Sequence, residues 1–150
     1  MRWLSIDHGT KKLGLAFCDE LELLASPYEV WPMEGEVTLT KLAKLTKYEC
    51  VQALLVGLPL HKDGTESETA ALARAFGEAL AARTGLPLRF LNEHLTSMEA
   101  ERLLAQRGVK AKDRKAKLDA AAAAVLLQEW LEDRRNRKIP AARLDSDPPV

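Results

Sequence analysis

Cysteine is scarce in this chain: Cys18 and Cys50 are the two in 150 residues. They form no CxxC pair, so a disulfide framework is excluded. Both sit at the edges of apolar stretches and read as small core residues. Long apolar runs are missing too, and none approaches the ~20 residues that cross a bilayer. The opening Met1-Arg2-Trp3-Leu4-Ser5-Ile6-Asp7 meets an acid before a secretory h-region could form. The expected location is the cytoplasm, with no membrane partner. Net charge is also absent, with 22 basic against 22 acidic residues, which on its face argues against a polyanion partner. No internal repeat occurs, and no low-complexity segment beyond the alanine-rich residues 116–131.

The charge is unevenly spread. Residues 1–100 hold 10 Lys and Arg against 14 Asp and Glu, whereas residues 101–150 hold 12 against 8. The basic excess gathers in Arg107-Gly108-Val109-Lys110-Ala111-Lys112-Asp113-Arg114-Lys115-Ala116-Lys117, with a second cluster at Arg134-Arg135-Asn136-Arg137-Lys138. Such runs are often only a solvated face. The first, however, leads straight to Asp119, which favours phosphate contact. The length fits one domain with a real core, expected over residues 1–143, and the acids and paired prolines of residues 144–150 predict a flexible tail.

Alternation in residues 2–7 predicts a strand. A turn at His8-Gly9-Thr10-Lys11 leads to a second strand over residues 12–18, forming a hairpin. A third is expected around residues 23–31, at a sheet edge because of Pro27. Leu39, Leu42 and Ala43 mark a short helix. Ala53-Leu54-Leu55-Val56 reads as a strand buried on both faces, stopped by Gly57-Leu58-Pro59. Thr65-Glu66-Ser67-Glu68 is a capping-box pattern with Thr65 as the cap. It opens a helix with Leu72, Ala73, Phe76 and Leu80 as its buried stripe and Gly85 as its stop. Residues 88–92 form another buried strand. Thr96-Ser97-Met98-Glu99 repeats the capping pattern for a helix ending near Gly108. The basic residues 107–117 lack an apolar period and are expected to be a mobile loop, followed by a long helix over residues 114–135. The order predicts an α/β fold with a mixed sheet flanked by helices. If the strands ending at Asp7, Val56 and Leu91 run parallel, their carboxyl ends share one edge.

That arrangement gathers three acids, Asp7, Glu93 and Asp119. Asp7 and Glu93 end apolar strands, although each could also be a plain turn former. Steps of three and four from Asp119 reach Ala123, Leu126, Leu127 and Trp130, so it shares the apolar face of its helix. A carboxylate there needs a cation, a hydrogen-bond partner or a raised pKa. An ion pair with Lys11, Lys12, Lys115 or Lys117 is the plain alternative. Acids brought together by folding repel unless a cation lies between them, which suggests a hard metal held by oxygen ligands. Two divalent ions bridged by carboxylates about 4 Å apart clamp a phosphodiester. Mg2+ or Mn2+ suits so few carboxylates plus substrate phosphates. Zinc on His8, His61 and His94 is the weaker alternative, because no HxxxH-type spacing supports it.

At these residues the chain resembles the YqgF/RuvX family of bacterial pre-16S rRNA nucleases and Holliday-junction-resolvase-like proteins. The matching segments are Ile6-Asp7-His8-Gly9-Thr10-Lys11-Lys12-Leu13-Gly14-Leu15-Ala16, Val56-Gly57-Leu58-Pro59 with Asp63-Gly64-Thr65, Asn92-Glu93-His94-Leu95-Thr96-Ser97, and Lys117-Leu118-Asp119-Ala120-Ala121-Ala122. The resemblance implies an RNase H-like five-stranded sheet. It places Asp7, Glu93 and Asp119 on the family's acidic, metal-holding catalytic positions, and Gly9, Gly14, Gly57 and Pro59 on its backbone-shaping ones. It implies metal-dependent endonucleolytic cleavage at the ends of pre-16S rRNA, with four-way DNA junctions as the other substrate. Gly9, Thr10, Lys11, Lys12, Gly57, Pro59, His94, Lys110, Lys112, Arg114, Lys115 and Lys117 are the expected nucleic-acid contacts. The chain departs from the family pattern at His8, Lys12, Asn92 and His94, where an aromatic, Arg, Asp and Arg are usual; imidazole at His94 removes a bidentate phosphate contact.

Two other classes stay open at this stage. One is a non-catalytic rRNA-binding assembly factor that uses residues 107–117, whose binding weakens steeply with salt. The other takes Asp7-His8-Gly9-Thr10 as a phosphate hairpin of the sugar-kinase and actin type, which normally needs a second domain. Monomer and homodimer are both compatible with the sequence.

Overall fold

The alternation at the amino terminus does form a strand, and it becomes the centre of the sheet. The computed structural model describes residues 1–59, 63, 65–93 and 97–137. In chain order the elements are β1 (Trp3–His8), β2 (Lys12–Cys18), β3 (Ala25–Pro32), α1 (Glu36–Tyr48), β4 (Ala53–Pro59), α2 (Glu68–Thr84), β5 (Leu88–Glu93), α3 (Ser97–Gln106) and α4 (Ala111–Arg137). The five strands lie in the order β3-β2-β1-β4-β5. The β1–β2 and β2–β3 pairs are antiparallel, while β1–β4 and β4–β5 are parallel, because each of the latter connections carries a helix. β3 is an edge strand, as Pro27 predicts, and a bulge there seats Tyr28 without a ladder partner.

Strand alternation divides the core into two layers. Leu4, Ile6, Leu54, Val56 and Phe90 pack with Leu39 and Leu42 of α1 and Phe76 and Leu80 of α2. Trp3, Ala53 and Leu55 face the other way, against Ala123, Leu126, Leu127 and Leu131 of α4. Each large side chain so buried contributes about 1.5–3 kcal/mol. A second side of α4 uses Ala121 and Ala122 against Ala100 and Leu104 of α3, which explains why its alanines show no single stripe. The Ser5 hydroxyl donates to the Ala123 carbonyl at 2.9 Å. At the far end of α4, buried Arg134 pairs with Glu22 at 3.3 Å, and its guanidinium lies 5.4 Å from the Trp3 ring and 6.0 Å from that of Trp130.

Several expectations need correction. β4 does not stop at Gly57; it pairs onward through Gly57↔Leu91, Leu58↔Asn92 and Pro59↔Glu93. The cap of α2 is Ser67, whose side chain accepts from the Ala70 amide, because the Thr65 amide and hydroxyl are both taken by Asp63 at 3.0 and 2.7 Å. Leu72 is 55% exposed; the buried stripe is Ala70, Ala73, Phe76, Gly77 and Leu80. Gly77 belongs to it because a Cβ there would press on Phe90 and Val56 at 3.1 and 3.2 Å. The basic stretch is mostly helix rather than loop, since α4 begins at Ala111. Arg114 ties that start down by donating from Nε to the Val109 carbonyl at 3.0 Å. Cys18 is buried, but Cys50 is exposed: it takes the left-handed position after α1, with φ 56, that turns the chain toward buried Val51. Thr96 and the tail 144–150 lie outside the described residues.

Candidate active site

The site grows from one row across the sheet. Asp7 of β1 pairs with Gly14 of β2, and Gly14 pairs with Val30 of β3. Gly14 is buried, and a Cβ on it would fall 1.9 Å from the Asp119 carbonyl oxygen and 2.7 Å from the Ala120 nitrogen. The missing side chain is therefore what lets α4 settle onto β2 at this level. It brings Asp119 beside Asp7.

The electrostatics record that approach. The Asp7 carboxyl is pushed up from 3.8 to about 6, first by burial and second by the charge of Asp119. Lys12 partly offsets the negative charge, with Nζ 3.4 Å from Asp119 Oδ2. Its side chain is 57% exposed, so the ion pair is solvent-screened and weak. Glu93 is the last residue of β5, in register with Pro59. β1, β4 and β5 run the same way, so the backbone brings position 93 to the sheet edge where Asp7 lies. Among the described residues, no three His, Cys, Asp or Glu side chains gather as a metal cluster; Asp7 and Asp119 form a pair.

His8 follows Asp7 but belongs to the other face. Its ring lies 5.1 Å from that of Phe76, and burial pulls its pKa down, so it is a packed neutral imidazole. His61 and His94, the other two histidines of the zinc alternative, lie outside the described residues.

The other expected contacts divide by exposure. Thr10, Lys11 and Lys12 are exposed on the β1–β2 hairpin, whose turn closes through the Gly9 amide donating to the Lys12 carbonyl at 3.0 Å. A Cβ at Gly9 would meet that carbonyl oxygen at 2.5 Å. Lys110, Lys112 and Lys117 are exposed at and after the start of α4, where Lys115 also lies, and Arg114 is half-buried against Val109. Gly57 is enclosed: a Cβ there would sit 2.9 Å from Leu126 Cδ2, so it makes room for α4. Pro59 is half-buried at the end of β4. Sequence reasoning missed Ser5, whose bond to Ala123 seats α4 one turn beyond Asp119. A hydroxyl alternating with Trp3 and Asp7 on a buried strand was its visible signal.

This sheet order, with acids at the carboxyl edge of its parallel strands and a helix laid across β1 and β2, defines the RNase H-like class. Two solved resolvases share the fold. Thermus thermophilus RuvC in complex with a Holliday junction substrate aligns with a TM-score of 0.54 at 17% identity, covering 90% of this chain and 96% of that one. The Fowlpox virus resolvase with Holliday junction DNA gives 0.57 at 14% identity, covering 89% and 98%. Sequence narrows the class further. The family model described as "RuvX: Holliday junction resolvase" matches residues 1–133. A protein of Anaeromyxobacter dehalogenans (strain 2CP-C) bearing the name "Putative pre-16S rRNA nuclease" is 43% identical over 136 residues, covering 89% of this chain and 98% of its own length. A namesake from Dictyoglomus thermophilum is 35% identical over 133 residues, covering 88% and 96%. The chain belongs to the RuvX family.

Proposed function

We propose that this chain is a metal-dependent endonuclease that hydrolyses phosphodiesters in structured nucleic acid, foremost at the ends of pre-16S rRNA. The observation that carries the reading is the Asp7–Asp119 pair: two carboxylates that repel each other at the carboxyl edge of the sheet's parallel strands, one of them desolvated. Hard oxygen donors whose negative charge Lys12 offsets only in part fit Mg2+ or Mn2+. Asp7, Asp119 and Glu93 are the residues to hold it. When bound, such ions activate a water and steady the departing oxygen.

The chain's own groups do the rest. Asp7 has to be ionised to act as a ligand, so in the metal-free protein, where its carboxyl is raised to about 6, a proton competes with the metal below that pH. Lys12 steadies Asp119 on one side. Thr10 and Lys11 at the hairpin and the exposed lysines along the start of α4 hold phosphates on either side of the acids, and the rigid sheet below fixes the strand's position. No helix among the described residues is long and apolar enough to cross a membrane.

The experiment sets precursor rRNA beside four-way junction DNA, with and without Mg2+ or Mn2+. RNA cleavage that needs metal and disappears in folded Asp7→Asn and Asp119→Asn proteins is the expected result. Undiminished cutting by those variants removes the acids from the mechanism, and preference for the junction assigns the chain to DNA.

A further inference from the structure

Beside the acids lies a cleft that phosphodiester hydrolysis leaves unused. Its volume is about 690 Å³. Pro27 and Val30 of β3 form one wall, Ala116 and Ala120 of α4 the other, and Val109 closes the end; Arg107 and Lys117 supply two cations against the single carboxylate of Glu29. The register fixes its distance from the acids. Asp7 pairs with Gly14 and Gly14 with Val30, so the cleft opens two strand spacings, about 10 Å, from Asp7. α4 spans the same interval, with Asp119 lying over Gly14 and the next residue, Ala120, lining the cleft.

The chemistry of the walls selects the occupant. A bare phosphate or a metal ion gains nothing from aliphatic surfaces, whereas the flat faces of a heterocycle bury well between them. The cations suit the phosphates on either side of that base. Arg107 is held at the rim, donating to the Ala25 carbonyl at 2.7 Å and to the Ser26 hydroxyl at 3.3 Å. β3 is the edge strand of the sheet, so it carries backbone polar groups with no neighbouring strand to bond. Such groups read the edge of an unstacked base.

We propose that this cleft receives an unpaired nucleotide of the substrate strand, next to the phosphodiester held at Asp7 and Asp119. The placing of that phosphodiester rests on the proposed function; the affinity of the cleft for a nucleotide does not. An unpaired base is then part of what marks the cleavage position, and fully paired nucleic acid fits poorly.

The test titrates the full chain with adenosine and uridine 5′-monophosphates, and separately with ribose 5-phosphate, following backbone amides by NMR. Nucleotide-dependent shifts are expected at Val30, Val109 and Ala116, and none there from ribose 5-phosphate. Ala116→Phe, at an exposed helix position, fills the cleft. It should abolish those shifts and weaken single-stranded oligoribonucleotide binding about tenfold, or ~1.4 kcal/mol, with Mn2+ affinity unchanged. Equal shifts from ribose 5-phosphate, shifts confined to other surfaces, or unaltered oligonucleotide binding by Ala116→Phe would overturn the proposal. Nucleotide shifts in a protein that never cleaves would sink the nuclease reading and leave the cleft standing. Normal cleavage with an indifferent Ala116→Phe would do the reverse.

Discussion

Gly14 and Asp119 meet backbone to backbone, so closely that a methyl group on Gly14 would lie 1.9 Å from the Asp119 carbonyl oxygen. The partner atom is helix backbone, which cannot swing aside as the end of a flexible side chain can. The approach therefore fixes both the packing of α4 and the place of its acid.

Gly14→Ala should accordingly lower stability by at least the ~1–3 kcal/mol typical of overpacking. If the protein still folds, Mn2+ affinity should drop as well, because Asp119 is lifted from Asp7. Denaturant midpoints and Mn2+ titration check the two effects. A fully stable variant that binds metal normally would contradict the contact.

Asp7 predicts a pH signature. Its folded pKa of about 6 lies above the ordinary 3.8, so between these values the folded state holds a proton that the unfolded state has released. Stability of the metal-free protein therefore falls as pH rises through this window. Asp7→Asn removes the penalty and should be more stable than the parent above pH 6, by up to ~3 kcal/mol. The difference should vanish near pH 4. Chemical denaturation with a chelator present, at several pH values, measures it, and at limiting metal cleavage should decline as pH falls through 6.

The Lys12–Asp119 pair, at 3.4 Å with Lys12 more than half exposed, should matter little to folding. Lys12→Met should change stability by less than about 1 kcal/mol. If Lys12 also meets a phosphate, the variant's nucleic-acid binding should lose about one unit of salt slope. Affinity measured over a salt series decides the point.

The two thiols should behave oppositely. Cys50 is exposed, whereas Cys18 is buried and burial pushes its thiol pKa up. A thiol reagent should modify one cysteine at once and the second only on unfolding. Cys50→Gly should raise stability by roughly 1 kcal/mol, because glycine accepts the left-handed backbone at φ 56 without strain.

Much of this architecture was legible in the sequence because its signals are local. The alternation around Ile6, the apolar run at Leu54 and Leu55, and the Gly85 stop each reflect one element's own geometry. Asp119 could be placed on a buried face because Ala123, Leu126 and Leu127 recur with it. What escaped depends on neighbours distant in the chain. Leu72 looks like core until Gly77 proves to be the residue that Phe90 and Val56 press against. Ser67 takes the cap because Asp63 engages Thr65. The lysines near position 112 hide a helix because that stretch has no apolar period of its own. Gly14 offered no local reason for its importance; only the helix folded over it supplies one.

The helix that carries Asp119 is also gripped at its other end, where Arg134 lies against the touching rings of Trp3 and Trp130 and binds Glu22. The grip and the acid are 15 positions apart, about 22 Å along a helix axis, and the Gly14 contact pins the helix at the acid itself. A small shift at the tryptophan end is thus taken up between the two pins, where Ser5 also holds Ala123, and leaves the carboxylate where it is. Loosening the buried arginine should therefore cost the helix its remote anchor while sparing the candidate site.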